Sequence, residues 1–128
     1  MKYLLDSQAL LWYALDDRKL SPLAKPLILD PANEILISPA SYWEIAIKIS
    51  IGKLSLHQPY EDFISVCLNQ YRFAILPIQP QHTAVLSRLP FHHRDPFDRL
   101  LISQAIVEGI SVIGNDREFD LYPIKRVW

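Results

Sequence analysis

The alternation of two kinds of apolar segment constrains the fold of this chain more than any other feature. Short apolar runs bounded by turn or charged residues predict buried strands at Lys2–Leu5, Glu34–Ile37, Phe73–Leu76, Ser111–Ile113 and Ile124–Trp128. Longer segments of helical period predict helices over Ala9–Leu15, Ser41–Ile51, Tyr60–Tyr71, Gln81–Leu89 and Pro96–Glu108. Strands that alternate with helices of this length predict an α/β fold, in which a central parallel sheet of four to five strands is covered on both faces.

Length and composition narrow the class of protein further. A chain of 128 residues has the length of one domain, so we expect a single domain over residues 1–128. Half of the residues are hydrophobic, which is enough for a globular core and excludes an intrinsically disordered chain. The single cysteine, Cys67, excludes an intrachain disulfide and is typical of a reducing compartment.

The sequence also predicts a protein that stays away from membranes. No run approaches the ~18 consecutive apolar residues of a membrane span, and Asp6 and Gln8 interrupt the apolar segment at the N-terminus, which argues against a signal peptide. We therefore expect a cytoplasmic location. The net charge of −1 indicates no polyanionic partner, so any affinity for nucleic acid must come from a local patch.

A few carboxylates occupy positions that a parallel sheet would bring together. Asp6 directly follows the first predicted strand, Asp116 follows the strand Ser111–Ile113, and Asp95 and Asp98 open the last long helix. Strand ends and the starts of the following helices lie at one edge of a parallel sheet, where ligands bind. Glu44, which lies one turn into a helix that follows a strand, can reach the same edge.

Each of these acids also has a structural alternative. Asp6 can cap the following helix, Glu44 can form a surface ion pair with Lys48 four residues later, and Asp116 can serve a turn. Taken together, however, converging carboxylates would repel one another and their pKa values would rise. A divalent cation would relieve this repulsion, and a set of oxygen ligands without cysteine favours Mg²⁺ or Mn²⁺ over zinc.

Local chemistry distinguishes the two acids of the DPFD segment. Pro96 suits the first helical position, where its missing N–H would have no intrahelical partner. Asp95 is then the N-cap, and Asp98 is the third helical residue. We therefore expect Asp98 to be freer to bind a metal, with Asp95 as an additional ligand at most.

The four histidines carry a weaker signal. His57 and His82 stand alone in the sequence and are predicted to be surface residues. His92 and His93 are adjacent, so their side chains point apart in a regular element and cannot easily chelate one metal. One of the pair remains a candidate for contacting RNA or for supporting a metal ligand.

At this point the sequence resembles a known family. The segments LLDSQALLWYAL, ISPASYWEIAIK, HHRDPFDRLLISQA and VIGNDREF are similar to the four acidic motifs of PIN-domain nucleases, most of all the VapC toxin ribonucleases of VapBC toxin–antitoxin modules. The resemblance extends from Lys2 to the end of the chain and implies a three-layer α/β/α domain. It matches Asp6, Glu44, Asp98 and Asp116 to the four metal-binding, catalytic acids, and Asp95 to an additional acid.

One position departs from the family pattern. Relatives often have Ser or Thr two residues before the fourth acid, where this chain has Gly114. A hydroxyl that could hold a water or the acid is therefore absent here, although Asn115 offers a partial substitute.

The resemblance implies Mg²⁺-dependent endoribonuclease activity, a VapB-type antitoxin as partner and a homodimer. Transfer RNA is the substrate expected from the family. Basic residues near the motifs are candidates for contacting RNA phosphates: Lys48, Arg94, Arg99 and Arg117. We expect Trp12, Tyr13 and Trp43 to contribute to the dimer interface and an antitoxin groove, with core packing as the alternative for each.

Two other classes of function compete with this interpretation. Phosphotransfer domains of the receiver or haloacid-dehalogenase type also have acidic Mg²⁺ pockets, but the dehalogenase pattern needs an acid where this chain has Gln8. A non-catalytic module that binds RNA or protein is the main alternative, and the presence of all four acids argues against it.

Overall fold

The computed structural model describes all residues from 1 to 128. Its five strands are β1 Lys2–Leu5, β2 Glu34–Ile37, β3 Ala74–Ile75, β4 Ser111–Ile113 and β5 Arg126–Val127. Its six α-helices are α1 Ser7–Ala14, α2 Ala24–Leu29, α3 Pro39–Ser50, α4 Tyr60–Ser65, α5 Pro80–Leu86 and α6 Pro96–Glu108. The predicted α/β class with a parallel sheet is confirmed. None of the helices combines the length and the apolar character needed to cross a bilayer.

The order of the strands fixes where a ligand can bind. The sheet has the order β3-β2-β1-β4-β5, and all four pairings are parallel. The chain runs outward from β1 through β2 to β3 and then returns to place β4 on the other side of β1. Strand order thus reverses between β1 and β4, where the connections leave in opposite directions and open a crevice. The backbone N–H of Asp6 donates to the carbonyl of Ile113 at 3.1 Å, which places Asp6 at this reversal.

Both faces of the sheet are buried, which gives the three layers. In β1, Tyr3 and Leu5 belong to the core on one face, which α1 to α4 cover, while Leu4 belongs to the core on the other. The second core includes Leu101 and Ile102 of α6. This double burial explains why the strands are apolar throughout rather than alternating with polar residues.

The structure differs from the predicted elements in detail. The predicted helix Tyr60–Tyr71 is α-helical only as far as Ser65 and continues as a π-helical turn over Val66–Gln70. At the end of this turn, the N–H of Tyr71 donates to the carbonyl of Val66 at 3.0 Å. The outer strands β3 and β5 contain two residues each and are shorter than predicted.

The prediction that His82 lies on the surface is wrong. Its side chain is 1% exposed because it faces α6 from the first turn of α5. His82 Nδ1 accepts a hydrogen bond from the backbone N–H of Gln79 at 2.9 Å, and Nε2 lies 2.9 Å from Glu108 Oε2. His82 therefore fastens the start of α5 to the end of α6. His57 is exposed, as predicted.

The helix that carries two of the acids begins and ends as its sequence predicts. Asp95 is the N-cap of α6, with Oδ1 accepting from the N–H of Phe97 at 2.8 Å and from that of Asp98 at 3.2 Å. Pro96 takes the first helical position. Gly109 ends the helix at φ +65°, a left-handed conformation that glycine adopts without strain.

This cap generates a stability prediction. Replacing Asp95 by Ala removes the acceptor of two backbone N–H groups, whereas Asp95→Asn removes the same charge and keeps an acceptor oxygen. We expect Asp95→Ala to unfold with a free energy about 1 kcal/mol lower than Asp95→Asn. Urea unfolding of the two variants measures the difference, and equal stabilities would contradict the capping role.

Candidate metal centre

The crevice at the strand reversal is a polar cleft of about 240 Å³. It contains every acid that the sequence singled out, and none of its lining residues is hydrophobic. The lining residues are Asp6, Ser7, Gln8, Glu44, Lys48, Asp95, Asp98, Asn115 and Asp116. The end of β1, helix α3, the start of α6 and the turn after β4 thus bring these side chains together as the topology predicts.

Asp6 serves the fold and the cleft with different oxygens. Oδ1 accepts from the N–H of Ala9 at 2.7 Å and caps α1, so the structural role considered for this residue exists. Oδ2 has no hydrogen-bond partner within the protein. The residue is only 5% exposed, so this free oxygen belongs to a carboxylate that is largely desolvated. A capping role therefore leaves Asp6 able to bind a cation.

Glu44 is held by two neighbours at the opposite wall of the cleft. Its Oε1 accepts from Ser7 Oγ at 2.7 Å, and its Oε2 lies 3.4 Å from Lys48 Nζ. The ion pair with Lys48 therefore forms, but the Glu44 side chain is 12% exposed and lines the cleft, so the pair is not a solvated surface contact.

A histidine joins the remaining two acids. His93 Nε2 lies 2.7 Å from Asp116 Oδ2 and 3.2 Å from Asp98 Oδ2. The other oxygen of Asp116 accepts from the N–H of Glu118 at 2.9 Å, which is the turn role considered for this acid. Asp98 Oδ1, by contrast, has no hydrogen-bond partner. His92 is exposed and packs edge-on against the ring of Tyr122.

The electrostatics of the cleft favour a cation. Burial raises the pKa of Asp6 to about 7; the hydrogen bond from Ala9 opposes the rise, and the charges of Asp116 and Glu44 add to it. Burial also raises the pKa of Asp98 to about 7, helped by the charges of Asp95 and Asp6. These two acids with raised pKa values are also the two of the four that keep an oxygen without a partner. The donor set therefore fits a hard divalent cation such as Mg²⁺.

Gly114 is required by the close approach of Asp6. A Cβ atom at this position would lie 2.9 Å from Asp6 Cγ and would overlap Asp6 Oδ2. The carboxylate therefore fills the space that a Ser or Thr side chain would need. Asn115 lines the cleft but makes no hydrogen bond with Asp116, which His93 holds instead.

The basic residues fall into two groups. Lys48 lines the cleft. Arg94 and Arg117 are exposed, and each is the neighbour in sequence of an acid that lines the cleft. Arg99 is a correction: it is 5% exposed and donates to the carbonyls of Leu89, Pro90 and His93, so it is not available to contact RNA. Its position in the motif placed it next to Asp98, but its side chain turns back under the preceding loop.

Several contributors were not predicted. Ser7 orients Glu44, yet a serine directly after a candidate acid carries no distinguishing signal in one sequence. Tyr122, whose hydroxyl accepts from the N–H of His93 at 2.9 Å, lies outside the four motifs and 29 residues after His93. The pair of histidines before DPFD did signal that one of them supports the acids, but not which one.

The aromatic residues considered for interfaces differ in exposure. Trp12 and Tyr13 are half-buried and pack against the core, Trp12 on Trp128 with centroids 5.7 Å apart. Trp43 is 62% exposed, and its ring packs edge-on against Phe97 at the start of α6 with centroids 5.2 Å apart. Packing in the core therefore explains most of the apolar surface of Trp12 and Tyr13, but it does not explain the exposed ring of Trp43.

Comparison with known proteins agrees with this geometry. The sequence profile of the PIN domain matches residues 3–125. The chain belongs to the PIN domain family. Ribonuclease VapC22 of Mycobacterium tuberculosis is 28% identical over 115 residues, which are 89% of this chain and 86% of that protein.

Solved structures share the fold of this PIN domain. VapBC2 from Rickettsia felis, bound to a DNA fragment from its promoter, matches with a TM-score of 0.72 and 18% identity, covering 99% of this chain and 98% of the other. DNA-bound VapBC from Salmonella typhimurium matches with a TM-score of 0.71 and 20% identity, covering 99% and 97%. The predicted resemblance to VapC-type PIN domains is confirmed, and with it the three-layer α/β/α architecture.

The contact between Gly114 and Asp6 generates a prediction with a matched control. Gly114→Ala must displace the Asp6 carboxylate, so we expect Mg²⁺ affinity to fall by at least about tenfold, or 1.4 kcal/mol. Gly109→Ala costs about 1–2 kcal/mol of stability through left-handed strain, but it adds no contact near the cleft. Calorimetric titration with Mg²⁺ compares them, and wild-type affinity in Gly114→Ala would contradict the argument.

The raised pKa of Asp98 generates a prediction about pH. The metal-free folded protein holds a proton on Asp98 up to about pH 7, whereas the unfolded chain releases it near pH 4. Ionisation therefore costs stability as the pH rises between these values. In EDTA, we expect Asp98→Asn to melt at a higher temperature than the wild type above pH 7.

The advantage of Asp98→Asn should fade as the pH falls toward 4, because the wild-type carboxyl is then protonated in both states. Asp62→Asn, which changes an exposed acid outside the cleft, serves as the isosteric control. Scanning calorimetry at several pH values measures the effect. A melting difference for Asp98→Asn that does not depend on pH would rule out the raised pKa.

Proposed function

We propose that this protein is a Mg²⁺-dependent endoribonuclease that acts as the toxin of a toxin–antitoxin pair. The observation that carries the proposal is the convergence of Asp6, Glu44, Asp98 and Asp116 in one cleft at the strand reversal of a PIN domain. The relative from Mycobacterium tuberculosis, named as a ribonuclease, supports the same reaction class.

The acids of the site differ in how free their oxygens are to bind a metal. Asp6 and Asp98 would hold the cation directly, because each keeps an oxygen without a partner. Glu44 and Asp116 have both oxygens engaged by protein groups, so they would complete the site from fixed positions. When bound, Mg²⁺ supplies Lewis-acid chemistry, which polarises a phosphodiester and lowers the pKa of the attacking water. Mn²⁺ is the alternative cation, since it accepts the same oxygen ligands.

The charge of the cleft explains why cleavage should depend on the cation. Five carboxylates line the cleft beside one lysine, Lys48, so the metal-free site repels a phosphate backbone. Lys48 also keeps Glu44 in place, and its exposed ammonium can contact a phosphate. Arg94 and Arg117, which are exposed next to Asp95 and Asp116 in the sequence, would bind neighbouring phosphates. Such contacts do not distinguish one base sequence from another.

The partners follow from the same family relationship. Because the solved neighbours are VapBC complexes, we propose a VapB-type antitoxin as the inhibitor of this protein. We further propose a homodimer that uses the exposed Trp43 beside the cleft, and RNA, with transfer RNA as the candidate, as the substrate. A toxin of this kind would act in the cytoplasm.

Cleavage of a transfer RNA pool with and without metal tests the proposal. We expect cleavage in Mg²⁺, none in excess EDTA, and a loss of roughly a hundredfold or more in Asp6→Asn and Asp98→Asn, because each removes a metal ligand. Asp62→Asn, outside the cleft, should cleave as the wild type does. Cleavage in EDTA would overturn the metal mechanism, and RNA binding without cleavage would favour a non-catalytic binding module.

A further inference from the structure

One buried side chain contacts two acids of the cleft that come from distant parts of the chain. His93 precedes α6, and its Nε2 contacts Asp98 of α6 and Asp116 of the turn after β4 at 3.2 and 2.7 Å. Glu118 Oε2 lies farther away, at 3.7 Å. The imidazole is 7% exposed, so these contacts form with little competition from water.

The geometry allows two roles for this ring. Ligand atoms of His93, Asp98 and Asp116 all lie within 4.8 Å of one another, so His93 could itself bind the cation. Alternatively, its Nε2 could carry a proton and donate to the carboxylates. The two roles exclude each other, since a nitrogen that carries a proton has no lone pair for a metal.

The other ring nitrogen decides between the two roles. His93 Nδ1 accepts a hydrogen bond from the backbone N–H of Asp95 at 3.1 Å. A neutral imidazole with an accepting Nδ1 carries its proton on Nε2, and an imidazolium carries one there as well. Nε2 therefore carries the proton while neutral His93 keeps this hydrogen bond at Nδ1, which favours the donor role over metal binding at Nε2.

Two buried groups fix the loop that presents His93. The Arg99 guanidinium donates to the carbonyls of Leu89 and Pro90, at 3.0 and 2.9 Å, and to that of His93 at 3.3 Å. The Tyr122 hydroxyl accepts from the N–H of His93 at 2.9 Å and donates to the carbonyl of Pro90 at 2.6 Å. The backbone of His93 is thus held through both its N–H and its carbonyl.

We propose that His93 is a positioning residue: its Nε2–H donates to Oδ2 of Asp116, and its ion-pair contact with Oδ2 of Asp98 leaves Asp98 Oδ1 facing the cation. Arg99 and Tyr122 position His93 in turn. This inference rests on the proposed function, because it assumes that the cleft binds Mg²⁺. Of the adjacent pair His92 and His93, only His93 contacts the acids of the metal site.

Variants of the two adjacent histidines test the proposal. We expect His93→Phe, which keeps a ring and loses the donor, to lower Mg²⁺ affinity and the kcat for RNA cleavage by roughly 10–100-fold. His93→Gln should recover most of this loss, because its amide N–H can donate from nearly the same position. His92→Phe, at an exposed position outside the cleft, should retain wild-type values of both.

Calorimetric Mg²⁺ titration and melting curves in EDTA separate positioning from folding. A purely structural role would lower the melting temperature of His93→Phe and leave its Mg²⁺ affinity equal to that of His92→Phe, which would overturn the proposal. A KM for RNA that stays near the wild-type value, with a reduced kcat, is the pattern expected for a residue that acts through the metal ligands.

Nitrogen NMR of histidine-labelled wild-type protein gives a test that needs no variant to fold. We expect a protonated His93 Nε2 in EDTA and the same proton after Mg²⁺ is added. Loss of that proton on metal binding would make His93 a ligand and overturn the proposal. If the wild type neither binds Mg²⁺ nor cleaves RNA, the proposed function fails, while the spectrum in EDTA still tests the donor role.

Discussion

The burial of neighbouring carboxylates at one edge of the sheet is the constraint on which the rest of this structure depends. The sheet brings the end of β1 and the turn after β4 together, and both carry an acid. Helices α3 and α6 add further acids to the same edge. The fold limits the cost by giving most carboxylate oxygens a hydrogen-bond donor. Burial first, and neighbouring carboxylates second, raise the pKa of Asp6 and of Asp98 to about 7.

The donors around the cleft explain why the acids differ from one another. Asp6 and Asp95 each use one oxygen to cap a helix, so the fold and the site share these side chains. Glu44 is held by Ser7 and Lys48, and Asp116 by His93 and a backbone N–H. Asp98 alone of the five accepts no hydrogen bond from the protein, and its nearest donor, His93 Nε2, makes an ion-pair contact with Oδ2 at 3.2 Å. Asp98 is therefore the acid most available to bind a cation.

Much of this arrangement could be predicted from the sequence because it depends on chain order. An acid directly after a strand, such as Asp6, or in the turn that follows one, such as Asp116, must lie at the carboxyl edge of a parallel sheet. The N-cap at Asp95 followed equally from Pro96, whose ring fixes the start of α6. These features are local, so one sequence is sufficient to predict them.

The features that the sequence did not predict depend on side-chain direction in three dimensions. Arg99 lies one residue after Asp98, yet its guanidinium is buried against backbone carbonyls that lie six to ten residues earlier in the chain. His82 appeared isolated because its partner, Glu108, is 26 residues away. The need for glycine at position 114 likewise depends on the distance between β1 and β4, because a Cβ atom there would overlap the Asp6 carboxylate. The sequence of either segment alone does not reveal that distance.

The most direct test of the metal centre is anomalous diffraction from crystals of the protein grown with Mn²⁺ in place of Mg²⁺. The account predicts a strong anomalous peak in the cleft, within bonding distance of Asp6 Oδ2 and Asp98 Oδ1 and not bonded to His93 Nε2. A cleft without an anomalous peak at saturating Mn²⁺, or a peak bonded to His93 Nε2, would contradict it.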